Sequence, residues 1–363
     1  MNLEDSTALQ FDTPYMVIDF NQSLKNMKKV QSFADQHGKT LRPHSKTHKI
    51  PLFSKRQISL GAVGVCVQKV SEAEVMFDGG VEDILISNEV VTGIKTDRIA
   101  DLASRGCRIK VAVDSEVGMS SLNESAREVG KEIDVIIDVD LGMDRCGILP
   151  DDFPGFLKKS SGYSNLTVYG IMAYDGNVAD ESRSERSRKV ASEVETLTKL
   201  CKDYERINGE PQTVSVGATS TYDLWAEYDI ITELQPGTYV YYDRRTTEYG
   251  ASTMDEIAMG VVGTVMSKTH SNHAVIDAGY KSTSIDNGRY PILIMPSGDT
   301  APVTSMSEEH TVCSDANQLK IGDRVLLLPS HACTTTDQWD KAAIFGLNEK
   351  PGTIEIKGRG MRE

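Results

Sequence analysis

Paired cysteine spacing is absent from this chain. Its six cysteines (Cys66, Cys107, Cys146, Cys201, Cys313 and Cys333) are scattered, which excludes the disulfide framework of a small secreted domain and fits a reducing compartment. Long apolar runs are absent too. Stretches such as 135–137 and 325–329 fall far short of the ~20 residues that span a bilayer. The opening MNLEDSTALQ is acidic and polar, without the basic and apolar regions of a secretory signal, so a cytoplasmic protein is expected. Positive charge is in deficit, with 39 basic against 53 acidic side chains and a net charge of −14. Phosphate backbones need clustered Lys and Arg, so nucleic acid and anionic membrane are not expected partners. What is present is 39% hydrophobic and 25% charged residues over 363 positions, a globular composition long enough for two domains or for one barrel with an addition.

From about Asp12 to Asp243 short β-branched runs alternate with longer amphipathic stretches. Strands are predicted at 15–19, 39–41, 62–67, 83–87, 108–113, 134–139, 166–173, 213–216 and 230–234. Helices are predicted between them, the longest at 182–204. Strand–helix repetition at this pitch means parallel strands joined by helical crossovers. An open doubly wound sheet and a closed barrel both satisfy it, and a count of about eight units favours a (β/α)8 barrel of ~250 residues. After Asp243 short strands at 258–265, 273–277, 292–295, 324–328 and 343–345 follow one another without a predicted helix. The expected fold class is α/β, an N-terminal (β/α)8 barrel followed by a C-terminal β-rich domain.

Catalytic groups in such a barrel collect where strands end. The exit at 41–49 carries Arg42-Pro43-His44-Ser45-Lys46-Thr47-His48-Lys49, five basic or potentially basic residues in an acidic protein. A solvated loop would read the same. Crowding by cations lowers a lysine pKa, which suits a lysine that forms an imine and then moves protons. Tyr174-Asp175-Gly176-Asn177 forms a second exit, by itself an ordinary turn. A third, Ser215-Val216-Gly217-Ala218-Thr219-Ser220-Thr221, offers small residues and hydroxyls to an anion, as a helix cap also would. The fourth is Gln235-Pro236-Gly237-Thr238-Tyr239, and barrels often bind phosphate after their last two strands. Past Arg324–Leu328 come His331 and Cys333, which in a strand would face the same way and could share an ion such as zinc. By spacing alone they also fit a core cysteine beside a capping histidine.

Together these segments resemble the fold-type III pyridoxal-phosphate enzymes of the alanine-racemase fold, in the group that includes D-serine dehydratase and D-threonine aldolase, and more nearly D-serine dehydratase. The likeness runs through Thr13-Pro14-Tyr15, Asp19, the run from Arg42 to Lys49, Ser71-Glu72-Ala73-Glu74 and Gly142-Met143-Asp144-Arg145-Cys146-Gly147. It continues through Gly176-Asn177, Asp277-Ala278-Gly279 and His331-Ala332-Cys333. The resemblance implies a cofactor-binding barrel over 12–245 and a β-rich, metal-carrying domain over 246–363, which residues 1–11 could join. It implies Lys46 as the catalytic lysine that carries pyridoxal phosphate, with Tyr174, Asn177, Thr219, Gly237 and Thr238 as further cofactor contacts. His331 and Cys333 would hold a divalent cation, zinc before manganese, cobalt or magnesium. A head-to-tail homodimer is also implied.

The implied reaction is dehydration of a 3-hydroxy-D-amino acid, such as D-serine, D-threonine or 3-hydroxy-D-aspartate, to a 2-oxo acid and ammonia. The alternative is an aldolase that cleaves Cα–Cβ to glycine and an aldehyde. Dehydratases of this group resemble His-x-Cys at the metal and aldolases more often His-x-Asp, so Cys333 points to dehydration. Met172 and Ala179 stand where D-serine dehydratases typically carry tyrosines, Thr238 stands in place of an asparagine and Ala218 in place of a frequent serine. A substrate larger than D-serine therefore stays open. A pyridoxal-phosphate homeostasis protein is usually a single barrel, and a racemase needs no metal. The β-rich domain and the His331/Cys333 pair argue against the homeostasis protein, and the His331/Cys333 pair would be unexplained in a racemase, which shares the fold.

Overall fold

The structure, a computed structural model, describes residues 11–270 and 272–363. The chain falls into two compact units. One takes in 11–29, Thr47–Lys49 and Thr238–Gly360; the other takes in Val30–Lys46, Ile50–Gly237 and Met361–Glu363.

In the second of these, eight strands form one parallel sheet. Their order is Thr40–Leu41, Glu233–Leu234, Thr213–Val216, Leu166–Met172, Ile133–Asp138, Arg108–Val113, Asp83–Ile86 and Val65–Val67. The ends of that order meet. His44 and Cys66 form a parallel bridge, Cys66 N–H donates to Pro43 O at 2.9 Å, and Val63 N–H donates to Leu41 O at 3.0 Å. Closure removes the free edges that an open sheet would expose. The crossovers are helices whose ends follow from local chemistry. The Ser115 hydroxyl accepts the Gly118 N–H at 3.3 Å and caps Glu116–Glu128, with Glu116 in its first turn and Arg127 in its last. Ser182 caps the longest helix, Arg183–Asn208, by accepting the Glu185 N–H.

Side chains fill the barrel interior. Cys66, Leu85, Ala112, Ile136 and Met172 form an apolar cluster, one from each of five neighbouring strands. Asp83 and Glu233, which begin their strands, hold the buried Arg42 between them. Arg42 Nη1 lies 2.6 Å from Asp83 Oδ1, and Nε lies 2.9 Å from Glu233 Oε2. Lys110 joins Asp83 at 3.2 Å. Arg42 therefore serves an internal ion-pair network. At the far end of the same run Lys49 pairs with Asp337 at 2.8 Å. The cations expected to crowd Lys46 are thus drawn off to carboxylates, a consequence of side-chain direction that charge counting along the sequence does not reveal.

The other unit is built on a mostly antiparallel sheet of ten strands, with a core of Val261, Val265, Ile276, Leu293, Val325 and Leu327 among others. Tyr15–Asp19 belongs here. It pairs antiparallel with Met259–Ser267, Tyr15 opposite Val262, and parallel with Lys341–Phe345. The sequence pattern places it instead at the head of the barrel series. All five of its residues are buried, and an apolar run of that length reads alike in either kind of sheet. Two five-residue helices, Arg244–Glu248 and Ala332–Thr336, occur where none is predicted, each too short to show a helical period. Residues 1–10, part of the segment 1–11 that could join this domain, lie outside the described residues. Among the described residues no helix is long and apolar enough to cross a membrane.

Candidate active site

Lys46 lies in a single 3-10 turn, Ser45–Thr47, after the strand Thr40–Leu41. Its backbone N–H donates to His44 Nδ1 at 3.4 Å, which leaves Nε2 to donate towards Gln68 Oε1 at 3.3 Å. The Ser45 hydroxyl donates to Cys66 O at 2.9 Å. These bonds fasten the turn to the barrel seam. Lys46 Nζ stands 5.7 Å from the centre of the Tyr174 ring, and the Arg145 guanidinium stands 5.1 Å from the same ring. Gly176 lets that ring fold back, because a Cβ there would meet Tyr174 Cε1 at 2.4 Å. Asn177 is exposed, and its Nδ2 donates to Gly142 O at 2.7 Å, tying two strand exits together.

The loop 217–221 follows the strand Thr213–Val216. Gly217 has φ +94, a conformation that other residues rarely adopt. Thr219 is buried, and so is Ser220. Ser220 Oγ has no hydrogen-bond partner among the described residues. A buried hydroxyl left without a partner costs free energy unless a ligand supplies one, which fits an anion held in this loop. Behind it lies Asp175, whose Oδ2 accepts the Trp225 Nε1–H at 2.8 Å. Burial pushes the Asp175 carboxyl above its usual value, and hydrogen bonds from Thr221 and Trp225 pull the other way. Gly237 follows the last barrel strand. A lysine at one strand exit, an aromatic ring beside it and this loop are the parts a phosphate-bearing aldehyde cofactor needs.

A further set of groups collects at the exits of the strands Asp83–Ile86 and Ile133–Asp138, which flank Arg108–Val113. One ligating atom each from Glu89, Asp138 and Cys146 lie within 4.8 Å of one another. Burial, with the adjacent Glu89 carboxylate, pushes Asp138 up to about 8, while Arg145 opposes the shift. Burial and Glu89 also raise the Cys146 thiol.

In the other unit, His331 caps the short helix Ala332–Thr336 with extended backbone, φ −142 and ψ 122, and Cys333 lies in its first turn. The pair does not sit in a strand as expected; the turn into the helix brings the two side chains into contact. His331 Nδ1 is 3.1 Å from Asp243 Oδ2. Burial disfavours the His331 cation, but the Cys333 thiolate and the Asp243 carboxylate outweigh it and hold the pKa well above the usual histidine value. Cys333 Sγ lies 3.2 Å from Thr47 Oγ1 and 3.8 Å from Thr238 Oγ1, which is where the structure places the Thr238 side chain. An imidazole nitrogen with a thiolate is a borderline-soft donor set that fits zinc, and two protein ligands leave the coordination open.

Sequence reasoning places Ser220 in the hydroxyl-rich loop without singling it out, and assigns no role to Asp175 or Asp243. Asp243 carries the one legible signal, an acidic N-cap ahead of Arg244–Glu248, which accepts the Thr246 N–H at 2.8 Å.

Comparison with known proteins bears on the family. Residues 18–245 match the alanine racemase N-terminal domain, and residues 258–345 match a putative serine dehydratase domain. A D-threonine aldolase of Arthrobacter sp. is 33% identical over 360 residues, 96% of this chain and 93% of the aldolase. The crystal structure of D-threonine aldolase from Filomicrobium marinum superposes with a TM-score of 0.88 at 31% identity, covering 97% of both chains. The D-threo-3-hydroxyaspartate dehydratase from Delftia sp. HT23 gives a TM-score of 0.87 at 25% identity, covering 95% of this chain and 97% of that one. Structures of that dehydratase also exist with a histidine and, two positions on, a cysteine each replaced by alanine, the latter in a metal-free form. With matched domains over most of its length and this fold, the chain belongs to the fold-type III pyridoxal-phosphate family that joins an alanine racemase N-terminal domain to a serine dehydratase domain, as a D-amino acid lyase.

Proposed function

We propose that this lyase is a metal-assisted dehydratase of 3-hydroxy-D-amino acids, releasing a 2-oxo acid and ammonia. The observation that carries the reading is the contact of His331 with Cys333, a donor pair at the spacing of the histidine and cysteine replaced in the Delftia dehydratase structures. Lys46 holds pyridoxal phosphate, and the loop 217–221 with Ser220 holds its phosphate. The bound cofactor supplies an electron sink for the bonds at the substrate α-carbon. A divalent cation held by His331 and Cys333 supplies Lewis acidity to the β-oxygen. Lys46 takes the α-proton through its Nζ. The Tyr174 ring limits where Nζ can swing, and Arg145 on the same ring adds positive charge for an anionic group. The homodimer is part of this proposal, and sedimentation reads it.

One set of observations favours a second reading. In sequence alignment, identity reaches 33% with the Arthrobacter D-threonine aldolase and 31% with a 3-hydroxy-D-aspartate aldolase of Paracoccus denitrificans, against 28% with the Delftia dehydratase, whose structural superposition gives 25%. Incubation with D-serine, D-threonine and 3-hydroxy-D-aspartate, with and without chelator, decides between them. Oxo acid and ammonia lost on chelation support dehydration; glycine with an aldehyde in their place establishes the aldolase.

A further inference from the structure

A neutral imidazole ligates a cation through one nitrogen and must keep its proton on the other, so whatever faces the second nitrogen sets which one is free. Here that partner is Asp243, fully buried and held from several sides. Its Oδ1 accepts the Thr246 N–H at 2.8 Å. Its Oδ2 accepts the Ala332 N–H at 2.9 Å and faces His331 Nδ1 at 3.1 Å. Each oxygen is thus met by donors. A carboxylate oxygen already met by the Ala332 N–H accepts, so in the neutral imidazole that ligation requires the proton sits on Nδ1 and the Nε2 lone pair is left for the cation.

We propose that Asp243 is a positioning residue that fixes His331 as the Nδ1–H form and so sets the affinity of the His331/Cys333 pair for a divalent cation. The inference rests on the metal reading above and adds the residue that prepares the ligand. An amide cannot replace the carboxylate. Whichever way the side chain introduced by Asp243→Asn were turned, its NH2 would face a backbone N–H or the protonated imidazole nitrogen, so one donor would lose its acceptor. The same Oδ2 also grips the N–H of Ala332, between the two ligating residues, so one atom fixes both the ring and the backbone that carries Cys333.

The test is titration of chelator-stripped holoenzyme with cobalt(II), following the sulfur-to-cobalt charge-transfer absorption, beside a thermal melt. Asp243→Asn is expected to weaken cobalt binding by ~10–100-fold. Thr246→Ala, which disturbs the same helix cap without facing His331, is expected to lower the melting temperature and leave cobalt affinity within about twofold. Equal loss of affinity in both variants, or none in Asp243→Asn, overturns the proposal. Should Asp243→Asn fail to fold, a crystal structure of the zinc-loaded wild type settles the matter: an ion on Nε2 with Nδ1 on Asp243 supports it, and an ion on Nδ1 overturns it. Wild-type protein that takes up no cobalt, or takes it up equally after His331→Ala and Cys333→Ala, defeats the metal reading itself, a result distinct from a wild type that binds and an Asp243→Asn variant that binds as well.

Discussion

Trp225 Nε1 donates a 2.8 Å hydrogen bond to Asp175 Oδ2, linking the turn after one barrel strand to the short helix Tyr222–Trp225 that follows the loop 217–221 after the next. Removing the carboxylate leaves a buried indole N–H without an acceptor and frees the loop 217–221. Asp175→Ala is expected to destabilise the protein by ~1–3 kcal/mol and to weaken pyridoxal-phosphate binding by about tenfold. Fluorescence titration of stripped enzyme with the cofactor measures this. Unchanged cofactor affinity would separate Asp175 from the anion loop.

Lys46 is the one amine on which the proposed chemistry depends. Borohydride reduction followed by peptide mapping is expected to find the cofactor on Lys46, and Lys46→Ala to lower turnover on the order of 10⁴-fold or more. A label mapped to another lysine would end the assignment.

The Asp138 carboxyl gives stability a signature in pH. Burial and Glu89 raise its folded pKa from 3.8 to about 8, so the folded chain holds that proton more tightly than the unfolded one. Its contribution to stability is therefore complete below the unfolded value and is withdrawn as pH rises through about 8. Asp138→Asn is expected to melt higher than wild type at pH 9, by about 2–6 °C, and to lose that advantage at pH 4. Parallel melting curves across this range would show that the group does not titrate as described.

Arg42 tests the barrel rather than the chemistry. Cutting one partner out of a buried ion pair strands the other, so Arg42→Met is expected to cost about 3–5 kcal/mol in urea unfolding. Adding Glu233→Gln is expected to recover part of that loss, because one stranded charge is then removed. A double variant no more stable than the single one would place the cost elsewhere.

The barrel is readable because parallel strands and their crossover helices impose a period on the sequence, and that period runs without a break from the strand at Thr40–Leu41 onward. Tyr15–Asp19 is misplaced by that pattern because five buried residues in a row carry no information about which sheet they enter. Lys46 and the loop 217–221 stand out by lying at strand exits. His331 and Cys333 are found by spacing, although a helix cap, not a strand, brings them together. Asp243 and Asp175 cannot be found that way. Their partners lie 88 and 50 residues along the chain, a distance over which only the folded backbone makes neighbours.

The pairing of Tyr15 with Val262 has a consequence for synthesis on the ribosome. The segment at 15–19 emerges long before both its sheet neighbours, Met259–Ser267 and Lys341–Phe345. Until then a largely apolar strand has no hydrogen-bonding mate and is a natural client for holding chaperones. Nascent chains arrested before Met259 should therefore be far more prone to clump than the finished polypeptide.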